Sequence, residues 1–238
     1  MIRTVKNAAK RLCFLAGLDV KRVNPAEHNY EWLRRHDIQT ILDIGANVGQ
    51  FAAMIHPILP GAAIYAFEPL KDCYEQLLAN MQGIAGFHAF NWALGDHETS
   101  AAMCRSEHSP SSSLLEMADL HKEAFPSSRT TAREVVAVRC LDDVARELNV
   151  AGGLLVKIDV QGYEDRVIRG GRETLSRASV LIVETSFREL YRGQALFGVI
   201  HDMLARLGFF YAGALGQWRN RLDGSVLQAD SIFVRPSA

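Results

Sequence analysis

Residues 40–55 constrain this chain more than any other stretch. Thr40-Ile41-Leu42 is a β-branched and apolar run, Asp43-Ile44-Gly45-Ala46-Asn47-Val48-Gly49-Gln50 follows it, and Phe51, Ala52, Met54 and Ile55 then fall at helical spacing. Strand, tight glycine turn and helix in that order read as the start of a parallel α/β unit. Glycine at 45 and 49 lets the backbone turn sharply and lets a ligand approach where a Cβ would clash, while the helix start presents unpaired N–H groups. The next strand, Ala63-Ile64-Tyr65-Ala66-Phe67, ends on Glu68 and Pro69. A carboxylate at a strand's C-terminal edge accepts hydrogen bonds from both hydroxyls of a ribose and repels a 2′-phosphate, which suits a nucleotide-like ligand and disfavours NADP. A dinucleotide fingerprint needs a middle glycine where Asn47 stands, so the closest approach to a pyrophosphate is lost.

The rest of the chain continues the alternation. Asn24-Pro25-Ala26-Glu27 supplies a cap, a first-turn proline and a capping glutamate for a helix over 25–36. Expected next are strand 40–44, helix 47–56, strand 63–67, helix 70–81, a third strand within 86–96, and further strands at 101–103 and 135–139. Residues 106–131 are the least regular part: they hold Pro110, Ser111-Ser112-Ser113 and Pro126-Ser127-Ser128 around a short helical pattern in Leu114, Leu115, Met117 and Leu120. A connection of that length reads as a lid over the C-terminal edge of the sheet, mobile without substrate. Strand 154–160 carries Lys157 and Asp159 on one face; a helix through Val167, Ile168 and Leu175 leads to strand 179–183, which ends at Glu184. Helix 194–207 and strands near 209–214 and 230–235 complete the pattern.

At 238 residues the chain fits one α/β domain with additions, divided here as an N-terminal helical extension over 1–38 and a main domain over 39–238 with the inserted lid. A net charge of −1 gives no bulk basicity for binding nucleic acid, and none is expected. Charge is uneven: 1–22 hold Arg3, Lys6, Lys10, Arg11, Lys21 and Arg22 against Asp19 alone. With Ile2, Val5, Ala9 and Leu12 at helical spacing, this segment suits an anionic membrane, a partner, or simple packing over the sheet edge with a solvated basic face. Cys13, Cys73, Cys104 and Cys140 are far apart and read as reduced thiols, and no run approaches eighteen apolar residues, so the expected compartment is cytoplasmic, or peripheral to a membrane through the basic segment.

The chain resembles FkbM-type class I methyltransferases from about Ile41 to Val234. The resemblance rests on Asp43 to Phe51, Phe67-Glu68-Pro69, Asn91-Trp92-Ala93-Leu94-Gly95-Asp96, Ser112-Ser113-Leu114-Leu115-Glu116, Val183-Glu184, Ala229-Asp230-Ser231-Ile232-Phe233-Val234, and above all Lys157-Ile158-Asp159-Val160-Gln161-Gly162-Tyr163-Glu164. It implies a Rossmann-like, seven-stranded, mostly parallel sheet with helices on both faces and an antiparallel last strand. It also implies S-adenosylmethionine as donor, S-adenosylhomocysteine as product, and methyl transfer to hydroxyl oxygens of sugars, glycans, lipids or polyketides. Carried onto this chain, the cofactor residues are Asp43, Gly45, Asn47, Gly49, Phe51, Glu68, Pro69, Asn91, Trp92, Ala93, Asp96 and Asp159. Asp43 would orient the glycine loop or reach the methionine amine through water; Asn91, Trp92 and Ala93 would line the adenine pocket, with Asp96 near the adenine amine.

A methyl sulfonium is electrophilic by itself, so alignment of oxygen, carbon and sulfur supplies much of the catalysis and a base adds roughly 10²–10⁴-fold. Candidates for that base are Asp159 and Glu184 at strand ends and Glu164 in the following helix, each with a structural alternative: pairing with Lys157, anchoring a loop, or opposing a helix dipole. Asp159 with Glu184 also offers oxygen ligands to Mg²⁺, although two carboxylates make a thin site and no metal is expected. A non-catalytic S-adenosylmethionine-binding or membrane-associated scaffold is the alternative function, and a nicotinamide-dependent oxidoreductase is disfavoured by Asn47.

Overall fold

The structure is a computed structural model of the chain and describes residues 29–125, 127–128, 130–150 and 152–235. The expected basic helix within 1–22 and the capping stretch 24–27 lie outside the described residues. What is described of the 25–36 helix is a 3₁₀ turn, Glu31–Arg35, which ends where His36 turns extended (φ −97°, ψ 140°) and which buries Leu33.

The elements that follow are β1 (Thr40–Ile44), α1 (Gln50–Ile55), β2 (Ala63–Phe67), α2 (Lys71–Asn80), β3 (Phe87–Phe90), β4 (Ala93–Gly95) and β5 (Thr99–Ser106). Then come α3 (Asp119–Ala124), β6 (Thr130–Cys140), α4 (Leu141–Glu147), β7 (Leu154–Ile158), α5 (Glu164–Gly170), α6 (Arg172–Ser176), β8 (Ala178–Ser186), α7 (Phe197–Arg206), β9 (Phe210–Arg219) and β10 (Val226–Val234). β1 and β2 occupy the expected residues. α1 starts three residues later than its apolar spacing suggests, because Asn47 (φ 47°) and Gly49 (φ 93°) are left-handed and hold the chain in a loop.

Seven strands form one sheet in the order β3-β2-β1-β7-β8-β10-β9. The pairs from β3 through β8 are parallel, and β10 runs antiparallel to both β8 and β9, which gives the expected class I arrangement. The run expected as one strand within 86–96 divides at Asn91 and Trp92. Its second half, β4, leaves for a separate three-stranded sheet, β4-β6-β5, to which the strands around 101–103 and 135–139 also belong.

Alternation within the parallel strands explains why both faces are covered. Leu42, Ile44, Val156, Ile158, Leu181 and Val183 pack on one face with Leu141, Val144, Val167, Ile168, Leu175, Ile200 and Leu204 from α4, α5, α6 and α7. Ile41, Leu155, Val180 and Ile182 pack on the other with Ala52 and Ile55 of α1, Leu77 of α2 and Leu33. Near-continuous apolar strands are what a sheet buried on both faces requires, and each such side chain contributes about 1.5–3 kcal/mol by leaving water. Residue 157 breaks the pattern: by parity Lys157 points to the Ile41 and Leu155 face, and the register sets it directly beside Asp43 of β1.

The strand order reverses between β1 and β7. β2 and β3 extend one way from β1 and β7 lies on its other side, so the loops leaving β1 and β7 diverge and open a crevice at their C-terminal ends. The connection between β5 and β6 closes over this edge. It is fastened by paired backbone bonds between Cys104 and Ser113 and by Ala118 N–H to the Leu190 carbonyl (2.8 Å) and Arg192 N–H to the Glu116 carbonyl (2.8 Å). The short helix expected around 114–120 is α3, displaced toward the C-terminus. Cys73, Cys104 and Cys140 are free thiols.

Candidate functional site

A cavity of about 370 Å³ fills the crevice, within the size range of small-molecule sites. Its floor is the loop after β1. Gly45 N–H and Ala46 N–H both donate to the Phe67 carbonyl (3.0 Å each), which clamps the loop onto the end of β2. Gly45 (φ 83°) admits no side chain, since a Cβ there would meet the Asp159 carbonyl oxygen at 1.8 Å. The glycine thus brings the β1 and β7 loops into contact, a role beyond the sharp turn and the ligand approach expected of it.

Glu68 closes one side. It is buried, and its two carboxylate oxygens accept N–H bonds from Asn47 and Leu70 (2.8 Å each). Burial pushes its pKa up to about 7 against the lowering effect of those two bonds. Asn47 adds a third tie, donating from Nδ2 to Ser109 Oγ (3.1 Å) on the segment between β5 and β6. Trp92, Ala93, Leu94, Met103 and Leu114 give the cavity an apolar wall, and Trp92 stacks on Phe90 with centroids 4.9 Å apart.

Of the residues expected to meet a cofactor, Gly45, Asn47, Phe51, Glu68, Pro69, Trp92, Ala93 and Asp159 line the cavity. Four others stand behind it. Gly49, left-handed at φ 93°, faces Leu77 of α2, 2.8 Å from where a Cβ would sit. Asn91 donates from Nδ2 to the carbonyls of Glu68 (2.9 Å) and Pro69 (2.8 Å) and so braces that loop. Asp96 pairs with His97 (2.7 Å) and Arg166 (3.4 Å); burial raises its pKa, and those two partners outweigh it and hold the carboxyl below its ordinary value. Asp43 is fully buried, among the described residues neither of its oxygens has a hydrogen-bond partner, and Lys157 Nζ lies 4.0 Å from it. Burial pushes the Asp43 carboxyl up to about 6, against the pull of Lys157.

The three base candidates separate. Asp159 lines the cavity, held by Lys157 Nζ on Oδ2 (3.0 Å) and by Gln161 Nε2 on Oδ1 (2.9 Å). Burial would lower the Lys157 pKa, but the carboxylates of Asp159 and Asp43 outweigh it and raise it. Glu164 does not line the cavity: its Oε1 accepts the N–H groups of Gly162 (3.0 Å) and Val160 (3.2 Å), which shapes the turn after β7, and burial pushes its pKa up to about 7. Glu184 lies behind Gln161, which donates to it at 2.5 Å; burial first, then Asp159 and Glu164, raise its pKa well above the ordinary value. The Gln161 amide therefore occupies the place between Asp159 and Glu184 where Mg²⁺ was considered. Among the described residues no group of three or more His, Cys, Asp or Glu side chains is arranged to hold a metal ion.

Gln161 and Tyr163 also line the cavity, as do Tyr30, Ser109, Pro110 and Ser112. Gln161 stood inside the most particular block of the sequence but carries no acid–base chemistry, so nothing singled it out. Tyr191, whose hydroxyl donates to Gln161 Oε1 at 2.7 Å, lies far along the chain and left no local signal.

Among the described residues no helix is long and apolar enough to cross a membrane. The chain is 31% identical over 194 residues to the 2-O-methyltransferase NoeI of Sinorhizobium fredii (strain NBRC 101917 / NGR234), covering 79% of this chain and 77% of that protein. It is 30% identical over 167 residues to the methyltransferase sdnD of Sordaria araneosa, covering 60% of this chain and 64% of that one. In fold it is similar to Aeropyrum pernix fibrillarin, solved with S-adenosyl-L-methionine bound, with a TM-score of 0.47 at 11% identity over 83% of this chain and 67% of that one. The FkbM methyltransferase domain matches residues 43–211, the span from the buried aspartate of β1 to the start of β9, and the chain belongs to that family of methyltransferases.

Proposed function

We propose that the chain transfers a methyl group from S-adenosylmethionine to a hydroxyl oxygen of a sugar, glycan, lipid or polyketide-type acceptor. The observation that carries this reading is the cavity itself: a glycine loop and a buried carboxylate at the β2 end face a second carboxylate, Asp159, after β7. The side chains present fit the donor. Each Glu68 oxygen holds one N–H and keeps lone-pair capacity for a ribose hydroxyl, the wall of Trp92, Ala93 and Leu114 suits a purine, and Asp159 stands at the polar end. When bound, the donor supplies an electrophilic methyl carbon. Asp159 then accepts the hydroxyl proton or orients the hydroxyl; Glu164 and Glu184 stay behind the cavity and hold the turn. Segment 109–115 lies over the strand ends and serves as the acceptor-side lid. NoeI, named for 2-O-methylation, supports oxygen as the acceptor atom.

Calorimetry with S-adenosylhomocysteine and with NAD is the first test, followed by labelled methyl transfer from S-adenosylmethionine to cell extract. Binding of NAD, or failure to bind S-adenosylhomocysteine, sinks the donor assignment. Binding without any labelled product favours the scaffold alternative.

Glu68 gives this reading a pH signature. Burial holds its pKa up at about 7, so a proton competes with ribose hydroxyls for the charged carboxylate. Affinity for S-adenosylhomocysteine should fall about tenfold from pH 8 to pH 6. Glu68→Gln should weaken binding on the order of tenfold and abolish that dependence. It also loses one loop bond, since an amide offers a single acceptor oxygen to Asn47 and Leu70. A pH dependence that survives in Glu68→Gln assigns the titration to another group.

A further inference from the structure

Two hydrogen-bond systems meet at one side chain that the proposed transfer does not itself require. Gln161 is 9% exposed and has φ 55°, a left-handed conformation uncommon for a residue with a Cβ and maintained only where the surroundings impose it. Its Nε2 donates to Asp159 Oδ1 (2.9 Å) and to Glu184 Oε2 (2.5 Å), and its Oε1 accepts from the Tyr191 hydroxyl (2.7 Å). The reversed amide would set an oxygen against two carboxylates, so this orientation is the one the partners dictate. The Gln161 carbonyl accepts from Ser113 Oγ (2.6 Å), and the Tyr191 hydroxyl also lies 3.0 Å from the Ser111 carbonyl. Tyr191 is fully buried, and its backbone N–H is held by Gln194 Oε1 (2.5 Å). Segment 109–115 is thus connected to the Asp159 carboxylate through Gln161 and Tyr191.

We propose that Gln161 and Tyr191 form a latch, positioning residues that make closure of segment 109–115 over the cavity and orientation of the Asp159 carboxylate one coupled event. Its catalytic meaning rests on the reading of Asp159 above, but the coupling itself is a property of the fold. A tyrosine hydroxyl has one hydrogen, which the Ser111 carbonyl and Gln161 Oε1 share. When the segment is down, Ser113 Oγ also grips the Gln161 backbone carbonyl, so Gln161 is held at its backbone as well as at its side chain; when the segment lifts, that grip is lost and the turn after β7 that carries Gln161 loosens. Acceptor entry therefore loosens Asp159, and closure fixes it.

Hydrogen–deuterium exchange on the full chain tests the coupling without an acceptor. The Ser113 amide donates to the Cys104 carbonyl of β5, and those of Ser111, Ser112 and Leu115 to His108, Ser109 and Ser113 in the same turn, so exchange at Ser113 reports the segment leaving β5 and exchange at the others reports its unravelling. Tyr191→Phe keeps the ring and removes only the hydroxyl, and should speed exchange at 111–115 on the order of tenfold. Coupling is reciprocal, so Asp159→Ala should speed the same amides several-fold, and the double variant should fall short of the product of the two effects. Amides of β1 and β7 in each variant check that the fold persists. Wild-type exchange at 111–115 in Asp159→Ala overturns the latch, as does wild-type exchange there in Tyr191→Phe. Failure of the wild type to bind S-adenosylhomocysteine sinks the functional reading and leaves the exchange comparison to decide the latch.

Discussion

Asp159→Asn is expected to lower turnover by roughly 10²-fold or more while leaving the affinity for S-adenosylhomocysteine within about twofold of wild type. The variant keeps the size of the side chain and removes its charge. Of the three candidate bases only Asp159 lines the cavity; Glu164 has its carboxylate turned onto two amides of its own loop, and Glu184 is screened by Gln161. An asparagine at 159 satisfies either Lys157 or Gln161 but not both, because each donates to it in the wild type. Some thermal stability should therefore be lost too, and turnover must be expressed per folded molecule. The measurement pairs a thermal melt with a kcat on whichever acceptor the labelled-donor screen recovers. Retained kcat with a lowered melting temperature removes Asp159 from the chemistry and leaves it as a brace for the turn.

The fold was legible because the determinants of its parallel strands are local. β1, β2 and β7 are apolar, β-branched runs with turn residues on either side, and the two glycines after β1 mark positions where the backbone is left-handed. Period-3.6 spacing placed α2 within one residue at either end, for the same reason. What escaped was non-local. The run after residue 86 has continuous strand chemistry, and only the pairing of Ala93–Gly95 with β6, far along the chain, shows that it changes sheets. Similarly, 3.6 spacing around residue 51 says where an apolar face lies and not where the helix begins, which a left-handed Asn47 decides.

The site was legible in its carboxylates and opaque in its neutral groups. Glu68 and Asp159 stand out in the sequence because a charge at a strand end asks for a partner, and both line the cavity. Gln161 and Tyr191 went unseen because an amide and a phenol acquire meaning only from what they touch. Asn91 and Asp96 are near the cavity in sequence but do not line it: they turn to the Glu68-Pro69 carbonyls and to Arg166 respectively. Neighbours along a strand end diverge by the pleat, so proximity to a motif does not place a side chain in its cavity.

Lys157→Met should cost about 3–5 kcal/mol near pH 7.5, a drop in melting temperature of roughly 10 °C for a chain of this size, because it leaves a buried carboxylate without its cation. Asp43 is that carboxylate: fully buried, without a hydrogen-bond partner among the described residues, and set beside Lys157 by the β1–β7 register. Its pKa is already about 6 with the ammonium 4.0 Å away, and burial drives it higher when the ammonium is gone. A carboxyl whose folded pKa lies above its ordinary value favours the fold fully below that ordinary value, and the benefit is lost as pH rises through the folded pKa. In the variant that loss extends to higher pH than in the wild type. The deficit of Lys157→Met should accordingly be largest above pH 7 and shrink toward pH 5, where Asp43 is protonated in both proteins. Asp43→Asn in the same background should recover much of the loss at pH 7.5 by removing the uncompensated charge. Lys157 also lies 5.6 Å from the centre of the Phe51 ring, which offers a competing explanation by packing. Packing does not titrate, so a melting deficit equal at pH 5 and pH 8, unrelieved by Asp43→Asn, would remove Asp43 from the account and assign the role of Lys157 to the Phe51 contact and the pair with Asp159.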